Sequence, residues 1–147
     1  MIIKKYIQTL LILTLILSIQ SCSKKVGCSD PNAENYNADA NKDCNCCEYK
    51  GNLVFWQGKT SADEFATAGV KTLFYYVDEQ LVGSSSATLY WTGKPDCGQN
   101  GSITVTKDLK GSKSRAYTYK INDEDGFTWY QGVINFDANT CLSFELQ

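Results

Sequence analysis

The chain has 147 residues, with 14 basic and 16 acidic side chains, seven cysteines and no histidine. A formal net charge of −2 without a basic cluster excludes the electrostatics of a typical nucleic-acid-binding protein. The lack of histidine removes the commonest general base and metal ligand, and neither a Gly-x-Ser-x-Gly elbow nor a phosphate-binding glycine-rich motif is present. We therefore predict no enzymatic activity and no nucleic-acid partner.

The N-terminal segment has the pattern of a secretory signal peptide. Lys4 and Lys5 precede a short apolar run at residues 10–17. The alternative is a retained transmembrane helix, because residues 6–23 carry no charge and about 20 apolar residues span a bilayer. Polar residues at the far end of the run favour the first interpretation, in which residues 1–21 are removed.

The residues Ile19-Gln20-Ser21-Cys22 resemble the lipobox of bacterial lipoproteins. In that family the thiol of the cysteine takes a diacylglycerol, and its freed amine takes a further acyl chain such as palmitate. The resemblance implies lipidation of Cys22 and a stable membrane anchor, because two or more acyl chains are needed for lasting attachment. Ser23-Lys24-Lys25 lacks the acidic residues that accompany surface export in related lipoproteins, so we expect an outer-membrane lipoprotein that faces the periplasm.

The remaining six cysteines are an even number, which predicts three disulfides in an oxidising compartment. Four of them lie within residues 28–47. The economical pairing places two bridges among these four and joins Cys97 to Cys141. A four-thiolate zinc site is the alternative for the first four, although their spacing contains no Cys-x-x-Cys pair. These four are Cys28, Cys44, Cys46 and Cys47.

Residues 22–49 form a polar stretch with almost no aliphatic side chains, so it cannot build a core of its own. It resembles a short module of secreted and surface proteins from Bacteroidetes-type bacteria, in which Cys-x-Asp-Pro-x-Ala-x-Asn-Tyr-Asn leads to an Asp-rich turn and Cys-x-Tyr. The resemblance implies a disulfide-held spacer with a bridge from Cys28 to Cys47. Here Asp43-Cys44-Asn45-Cys46 replaces the usual Asp-Gly-Ser turn, which leaves the pairing of the four cysteines open. The matching residues are Cys28, Asp30, Pro31, Ala33, Asn35, Tyr36, Asn37, Asp43, Cys47, Glu48 and Tyr49.

Asp39, Asn41 and Asp43 have the alternating oxygen spacing that opens calcium-binding loops. Such spacing can place three hard oxygen ligands around one cation. Cys44 stands where such a loop has its glycine, and Lys50 where it has its bidentate glutamate. Asp and Asn are also ordinary turn formers, because their side chains bond to the nearby backbone. A calcium site and a simple turn are therefore both open, and the turn is the favoured interpretation.

Residues 50–147 alternate polar and apolar side chains as β-strands do, and they hold 15 of the 18 aromatic residues. About seven short strands predict a single antiparallel β-sandwich, of Ig-like or transthyretin-like type. Gly132 suggests a bulge, and residues 61–64 read as a capping box for one helical turn. The candidate strands cover residues 53–57, 73–77, 81–83, 87–91, 102–106, 115–121, 127–136 and 141–146.

This segment resembles a small β domain that recurs in Bacteroidetes lipoproteins and is mostly without an assigned function. The resemblance carries no catalytic or ligand-binding residues, and it implies that Cys97 and Cys141 are a structural pair. The shared motifs are Val54-Phe55-Trp56, Tyr76-Val77-Asp78 with Gly83, Pro95-Asp96-Cys97-Gly98, Tyr117-Thr118-Tyr119, Trp129-Tyr130-Gln131-Gly132 and Cys141.

Adjacent aromatic pairs are the remaining feature with binding character. Neighbours on a strand point to opposite faces, so one member of each pair is expected outside the core. We single out Trp91 and Trp129 as residues that could stack on a sugar or a peptide. The expected function is a non-enzymatic binding or adhesion module for a protein or glycan. The alternative is a periplasmic structural or accessory subunit of a larger membrane complex.

Overall fold

The computed structural model describes residues 23–147, which form mostly β structure and one helix. Residues 1–22, which include the predicted signal peptide and Cys22, lie outside the described residues. The helix is α1 (Lys59–Ala68). The strands are β1 (Val26–Gly27), β2 (Lys42–Asp43), β3 (Lys50–Gln57), β4 (Thr72–Val77), β5 (Gln80–Ser86), β6 (Ile103–Asp108), β7 (Ser114–Asp123), β8 (Thr128–Asp137) and β9 (Cys141–Leu146).

The first large sheet has three strands in the order β6-β3-β9. The central strand β3 runs antiparallel to β6 and parallel to β9, with Leu53 beside Val105 on one side and Leu142 on the other. The expectation of a wholly antiparallel domain is therefore corrected at the β3–β9 pair. These two strands stand at opposite ends of the domain sequence, so no short hairpin turn forces them to be antiparallel.

The second large sheet has four antiparallel strands in the order β5-β4-β7-β8. Alternation sorts the side chains of β4: Leu73, Tyr75 and Val77 are buried, whereas Phe74 and Tyr76 lie on the opposite face. The period of two along this strand therefore gives the sheet one core face and one outer face.

One hydrophobic core fills the space between the two sheets. Phe55 of β3 lies 5.5 Å from Tyr75 of β4 between ring centroids, so the sheets meet through aromatic side chains. Phe136 and Leu146 are fully buried in the same core. Burial of each such side chain stabilises the fold by about 1.5–3 kcal/mol, which makes this core the main source of stability.

The helix is longer than the single turn predicted, and the prediction of a capping box at residues 61–64 is wrong. Gly58 is the N-cap and no side chain caps the first turn. Ser61 lies inside the helix instead, where its buried hydroxyl donates to the carbonyl oxygen of Leu146 at 2.6 Å. The helix ends at Gly69, whose φ of +78° is the left-handed conformation that glycine adopts without strain. A contact with the last strand thus decides the role of Ser61.

Residues 87–91 were predicted as a strand and form a turn and an extended loop. The Ser86 hydroxyl accepts the N–H of Thr88, and the side chain of Gln57 donates to the carbonyls of Ala87 and Leu89 at 2.6 and 2.7 Å. These bonds replace a strand ladder. Side chains at distant positions therefore override the local strand pattern.

The bulge also differs from the prediction. The register of β7 and β8 shifts opposite Trp129, and Gly132 stays regularly paired with Tyr119. A Cβ atom at Gly132 would lie 3.1 Å from the Tyr119 ring, so a larger residue here would require this ring to shift by a few tenths of an ångström.

The cysteine-rich stretch packs onto the sheets and does not stand apart from them as the spacer interpretation expects. Cys28 and Ala33 are buried in the same core as the sheet residues. The carboxylate of Asp30 accepts the Tyr49 hydroxyl at 2.9 Å and pairs with the Lys113 ammonium at 2.6 Å. Within residues 23–49, its own regular structure consists of the two-residue parallel pair of β1 and β2 and an isolated bridge between Cys28 and Tyr36. Contacts with the domain, together with the cysteines, therefore hold this stretch in place.

Candidate functional site

The hairpin turn between β7 and β8 is organised by one carboxylate. Asp123 accepts the backbone N–H groups of Asp125 and Phe127 at 3.0 and 2.9 Å, and the indole N–H of Trp129 at 2.9 Å. Desolvation alone would raise the pKa of Asp123, but the hydrogen bonds from Trp129 and the turn amides lower it overall. The carboxylate is therefore charged at neutral pH and fixes the indole ring in one orientation.

The bulge in β8 turns Trp129 towards α1. Trp129 is the extra residue opposite the Ile121–Asn122 step, between Thr128 and Tyr130. Its ring lies nearly perpendicular to the Phe65 ring, at 5.0 Å between centroids, and to the ring of the exposed Phe127, at 5.4 Å. A bulge re-aims a side chain in this way, and here it gives a rigid, partly exposed indole beside the helix.

Two open cavities of about 550 and 320 Å³ share Trp129 as a lining residue. We call them together the Trp129 cleft. The larger lies along α1 and the smaller lies beside the β7–β8 turn, and both are lined by Ala68 and Trp129. The larger is also lined by Thr60, Asp63, Glu64 and Thr67, and the smaller by Gly69, Val70, Asp123, Glu124, Asp125 and Phe127.

The rim of the cleft is rich in hydrogen-bond acceptors. The carboxylate of Glu124 accepts the backbone N–H groups of Thr72 and Lys71, and these bonds lower its pKa despite some desolvation. Asp63 is paired with Lys59 at 2.7 Å, whereas Asp125 is exposed at the tip of the turn. The cleft thus offers an aromatic wall with charged oxygen atoms around it.

Trp91, the second predicted stacking residue, lies elsewhere. Its backbone N–H donates to the carbonyl of Gln57 at 2.9 Å, and its partly buried ring lines a small gap beside Phe55 and Tyr75. The structure therefore places Trp91 and Trp129 at separate positions, and only Trp129 lines the cleft.

The outer face of the four-stranded sheet carries a wider groove of about 770 Å³, which we call the sheet groove. Tyr76, Lys120 and Gln131 lie in one row across it, and the Lys120 ammonium sits 5.2 Å from the centre of the Tyr76 ring. Val133 is 68% exposed at its edge. Sequence reasoning assigned no function to Tyr76, although alternation with the buried Tyr75 indicates that it points outward.

Sequence reasoning assigned no binding role to Asp123 or Phe127, because residues 122–126 have the composition of an exposed turn. The available signal was an aspartate followed four and six residues later by aromatic side chains. A carboxylate at that spacing can accept hydrogen bonds from both the turn amides and an indole N–H, but only when a bulge turns the indole towards the carboxylate.

The predicted calcium ligands make other contacts, two of them to Lys25 and one within a local turn. Asp39 pairs with the Lys25 ammonium at 3.1 Å, and the Asn41 side-chain oxygen accepts the Lys25 N–H at 2.9 Å. Asp43 accepts the N–H of Asn45 at 3.2 Å. Among residues 23–147 no group of three His, Cys, Asp or Glu side chains is placed to hold a metal ion. Calcium binding stays a prediction from the spacing.

The six cysteines among residues 23–147 form three disulfides, which confirms the prediction of disulfide bonds. The bridges join Cys28 to Cys47, Cys44 to Cys46 and Cys97 to Cys141. With the sulfurs paired in this way, the first four cysteines do not form a four-thiolate cluster.

Comparison with protein-family models, with curated proteins and with solved structures finds no match for this chain. Within residues 23–147 no helix has both the length and the apolar character needed to cross a membrane.

Proposed function

We propose that the chain is an envelope lipoprotein anchored through Cys22, and that its two-sheet domain is a non-enzymatic binding or adhesion module. We place the ligand, a glycan or a protein segment, in the Trp129 cleft. The observation that carries the binding proposal is the fixed, partly exposed Trp129 ring, which lines both cavities. Each of these cavities falls in the size range of small-ligand sites, about 300–1,000 Å³.

A glycan is the ligand that the lining favours. The face of an indole offers an apolar surface for the C–H groups of a sugar ring, and its rigidity keeps the entropy cost of binding low. The Thr60 and Thr67 hydroxyls and the Asp125 carboxylate supply hydrogen-bond partners for sugar hydroxyls. This combination of one flat ring with surrounding acceptors also suits a peptide, which makes a peptide ligand the main competing outcome.

The test is binding to a panel of soluble envelope oligosaccharides and peptides, followed by tryptophan fluorescence and calorimetry. We expect Trp129→Ala to weaken binding of the active ligand by about tenfold or more, the equivalent of about 1.4 kcal/mol. Trp91→Ala is the matched control, because this tryptophan is also partly buried but does not line the cleft. Equal losses in both variants would refute the cleft, and a peptide hit would replace the glycan.

The anchor is tested separately. Replacement of Cys22 by alanine removes the thiol that the lipobox resemblance requires, so we expect an unlipidated precursor or soluble protein. Detergent partitioning with mass spectrometry of the wild type decides the outcome. An unmodified Cys22 in mature wild-type protein would contradict the lipoprotein proposal and leave the binding proposal standing.

The second candidate function is an accessory subunit that docks through the sheet groove. The specific observation is the exposure of apolar side chains on that face, where Leu81 is 57% and Val133 is 68% exposed. Crosslinking in the native envelope tests it, with Val133→Asp expected to abolish partner capture and Val133→Thr to retain it. Capture unaffected by Val133→Asp would exclude the groove as the docking face.

We propose a transthyretin-like arrangement in preference to an Ig-like one. In an Ig-type sandwich the first strand lies beside the second, whereas here the first strand of the domain, β3, pairs with β6 and β9. The second strand, β4, pairs with β5 and β7 in the other sheet. Of the two predicted types, the strand order supports the transthyretin-like one.

A further inference from the structure

The bridge between Cys44 and Cys46 encloses a single residue, Asn45. The other two bridges join cysteines that are 19 and 44 positions apart. Asn45 has a φ of +51°, which lies in the left-handed region. Residues other than glycine adopt this conformation at a cost in free energy. Reduction of this bridge would remove the covalent ring that encloses Asn45 and so lessen the constraint on its backbone, whereas the two long-range bridges enclose no single residue in this way.

The two sulfurs differ in their surroundings. Cys46 is exposed, whereas Cys44 is partly buried and packs against the core. The backbone N–H of Cys46 points at the sulfur of Cys44, at 3.2 Å. An N–H donor stabilises a thiolate, so Cys44 is the better leaving group and Cys46 is the sulfur that an external thiol can reach.

Other contacts hold both cysteines in place independently of the bridge. The N–H of Cys44 donates to the carbonyl of Gly27 at 3.2 Å. The Asn35 side chain donates to the carbonyl of Cys46 at 2.7 Å and accepts the N–H of Glu48 at 3.0 Å. Opening the bridge therefore leaves the two sulfurs near each other, which makes re-formation an intramolecular step.

We propose that Cys44–Cys46 is a reversible thiol–disulfide exchange site that reacts with an external dithiol. A thiolate of the dithiol attacks the Cys46 sulfur, forming a mixed disulfide while Cys44 leaves as a thiolate and takes a proton. The second thiolate of the dithiol then attacks its own sulfur in the mixed disulfide, releasing Cys46. The dithiol loses two electrons and two protons and becomes a disulfide, and Cys44 and Cys46 gain them as two thiols.

The experiment equilibrates the oxidised, full-length chain in glutathione buffers of graded ratio under native conditions. Acid quenching, alkylation and peptide mass spectrometry then give the reduced fraction of each pair. At a fixed ratio we expect the reduced-to-oxidised ratio of Cys44–Cys46 to exceed that of each other pair by about tenfold, which is about 30 mV in reduction potential. Early quenching should find the glutathione adduct on Cys46.

Two substitutions test the physical reason. Asn45→Gly should lower the reduced fraction of Cys44–Cys46, because glycine accepts a positive φ without strain. Asn139→Gly is the matched control: Asn139 has a φ of +53° but is not enclosed by a short ring, so all three pairs should keep their wild-type values. The proposal is overturned if the three bridges open together, if Cys44–Cys46 opens last, or if the adduct forms on Cys44.

Discussion

At the residue scale, Asp30 is the main electrostatic link between the cysteine-rich stretch and the sheets. Its pKa is lowered from 3.8 to about 2, first by the hydrogen bond from Lys113, then by the Asn32 N–H and the Tyr49 hydroxyl, and desolvation acts in the opposite direction. The pKa of Tyr49 is raised, first by burial and then by the Asp30 carboxylate. One ionised side chain thus holds residues from three parts of the chain.

This link predicts a pH-dependent stability. The charged form of Asp30 is favoured in the folded state, so its contribution is complete above about pH 4 and disappears as the pH falls towards 2. We expect Asp30→Asn to have a lower melting temperature than wild type at pH 7. The difference between the two melting temperatures should shrink between about pH 4 and pH 2. Thermal denaturation at a series of pH values measures this.

Asp39→Asn is the control for this prediction. Asp39 is also paired with a lysine, but its side chain is 75% exposed, and exposed pairs contribute little. Its melting temperature should stay at the wild-type value throughout. A constant difference between wild type and Asp30→Asn from pH 7 to pH 2 would show that the carboxylate charge is not the cause.

At the element scale, the two sheets approach each other closely where the start of β3 meets the end of β8. Gly51 is buried there, and a Cβ atom at this position would lie 2.7 Å from the Asp137 carbonyl oxygen and 3.1 Å from the Cβ of Phe136. Both neighbours are fixed parts of a paired strand. Glycine is required at this point because the backbones approach each other, not because of its φ angle.

The prediction is that Gly51→Ala destabilises the domain by about 1–3 kcal/mol, the usual cost of overpacking. Gly93→Ala is the control, because a Cβ atom there meets nothing within 4 Å and its φ is not positive. That variant should stay within about 0.5 kcal/mol of wild type. Urea unfolding followed by tryptophan fluorescence gives both values, and equal stability of the two variants would contradict the close approach.

Strands were the most predictable elements, because their alternation is a local property of the sequence. Residues 141–146 were predicted as a strand and form β9 with those limits, and the other observed strands of the domain overlap predicted ones. The predictions of a strand at residues 87–91 and of a capping box at residues 61–64 failed because of partners that are distant in the sequence. The Gln57 side chain donates to the carbonyls of residues 87 and 89, and the hydroxyl of Ser61 donates to the carbonyl of Leu146. The sequence singled out Trp129 but not the rest of the cleft, because no local sequence pattern indicates the bulge that turns its ring towards the helix.

At the scale of the whole molecule, the disulfides connect parts of the chain that the sheets alone do not join. Cys97 belongs to the long connection between β5 and β6, and Cys141 begins β9. Cys28 is 1% exposed and lies in the shared core, so its bridge to Cys47 fastens the cysteine-rich stretch to the sheets. The stretch therefore acts as a packed extension of the domain.

Three paired Cys→Ser variants test this arrangement. Loss of Cys97–Cys141, whose cysteines are 44 positions apart, should cost about 4 kcal/mol on the chain-entropy view. Loss of Cys28–Cys47, whose cysteines are 19 positions apart, should cost about 3 kcal/mol. The serine at position 28 adds to this cost, because it places a hydroxyl group in the buried core. Loss of Cys44–Cys46 should cost less than about 2 kcal/mol, because a loop of separation 2 restricts the unfolded chain least.

Thermal unfolding followed by tryptophan fluorescence reads out these variants, because all three tryptophans lie within residues 50–147 and report on the sheets. The Cys28–Cys47 variant is the decisive one. A spacer without core contacts would leave the fluorescence transition at its wild-type temperature, whereas a packed extension lowers it together with the Cys97–Cys141 variant. The Cys44–Cys46 variant is the internal control, since it removes two cysteines from the same stretch and leaves the buried Cys28 bridge intact. A normal transition in the Cys28–Cys47 variant would mean that the sheets fold without this stretch, and that Cys28 and Ala33 cover a core that is already complete.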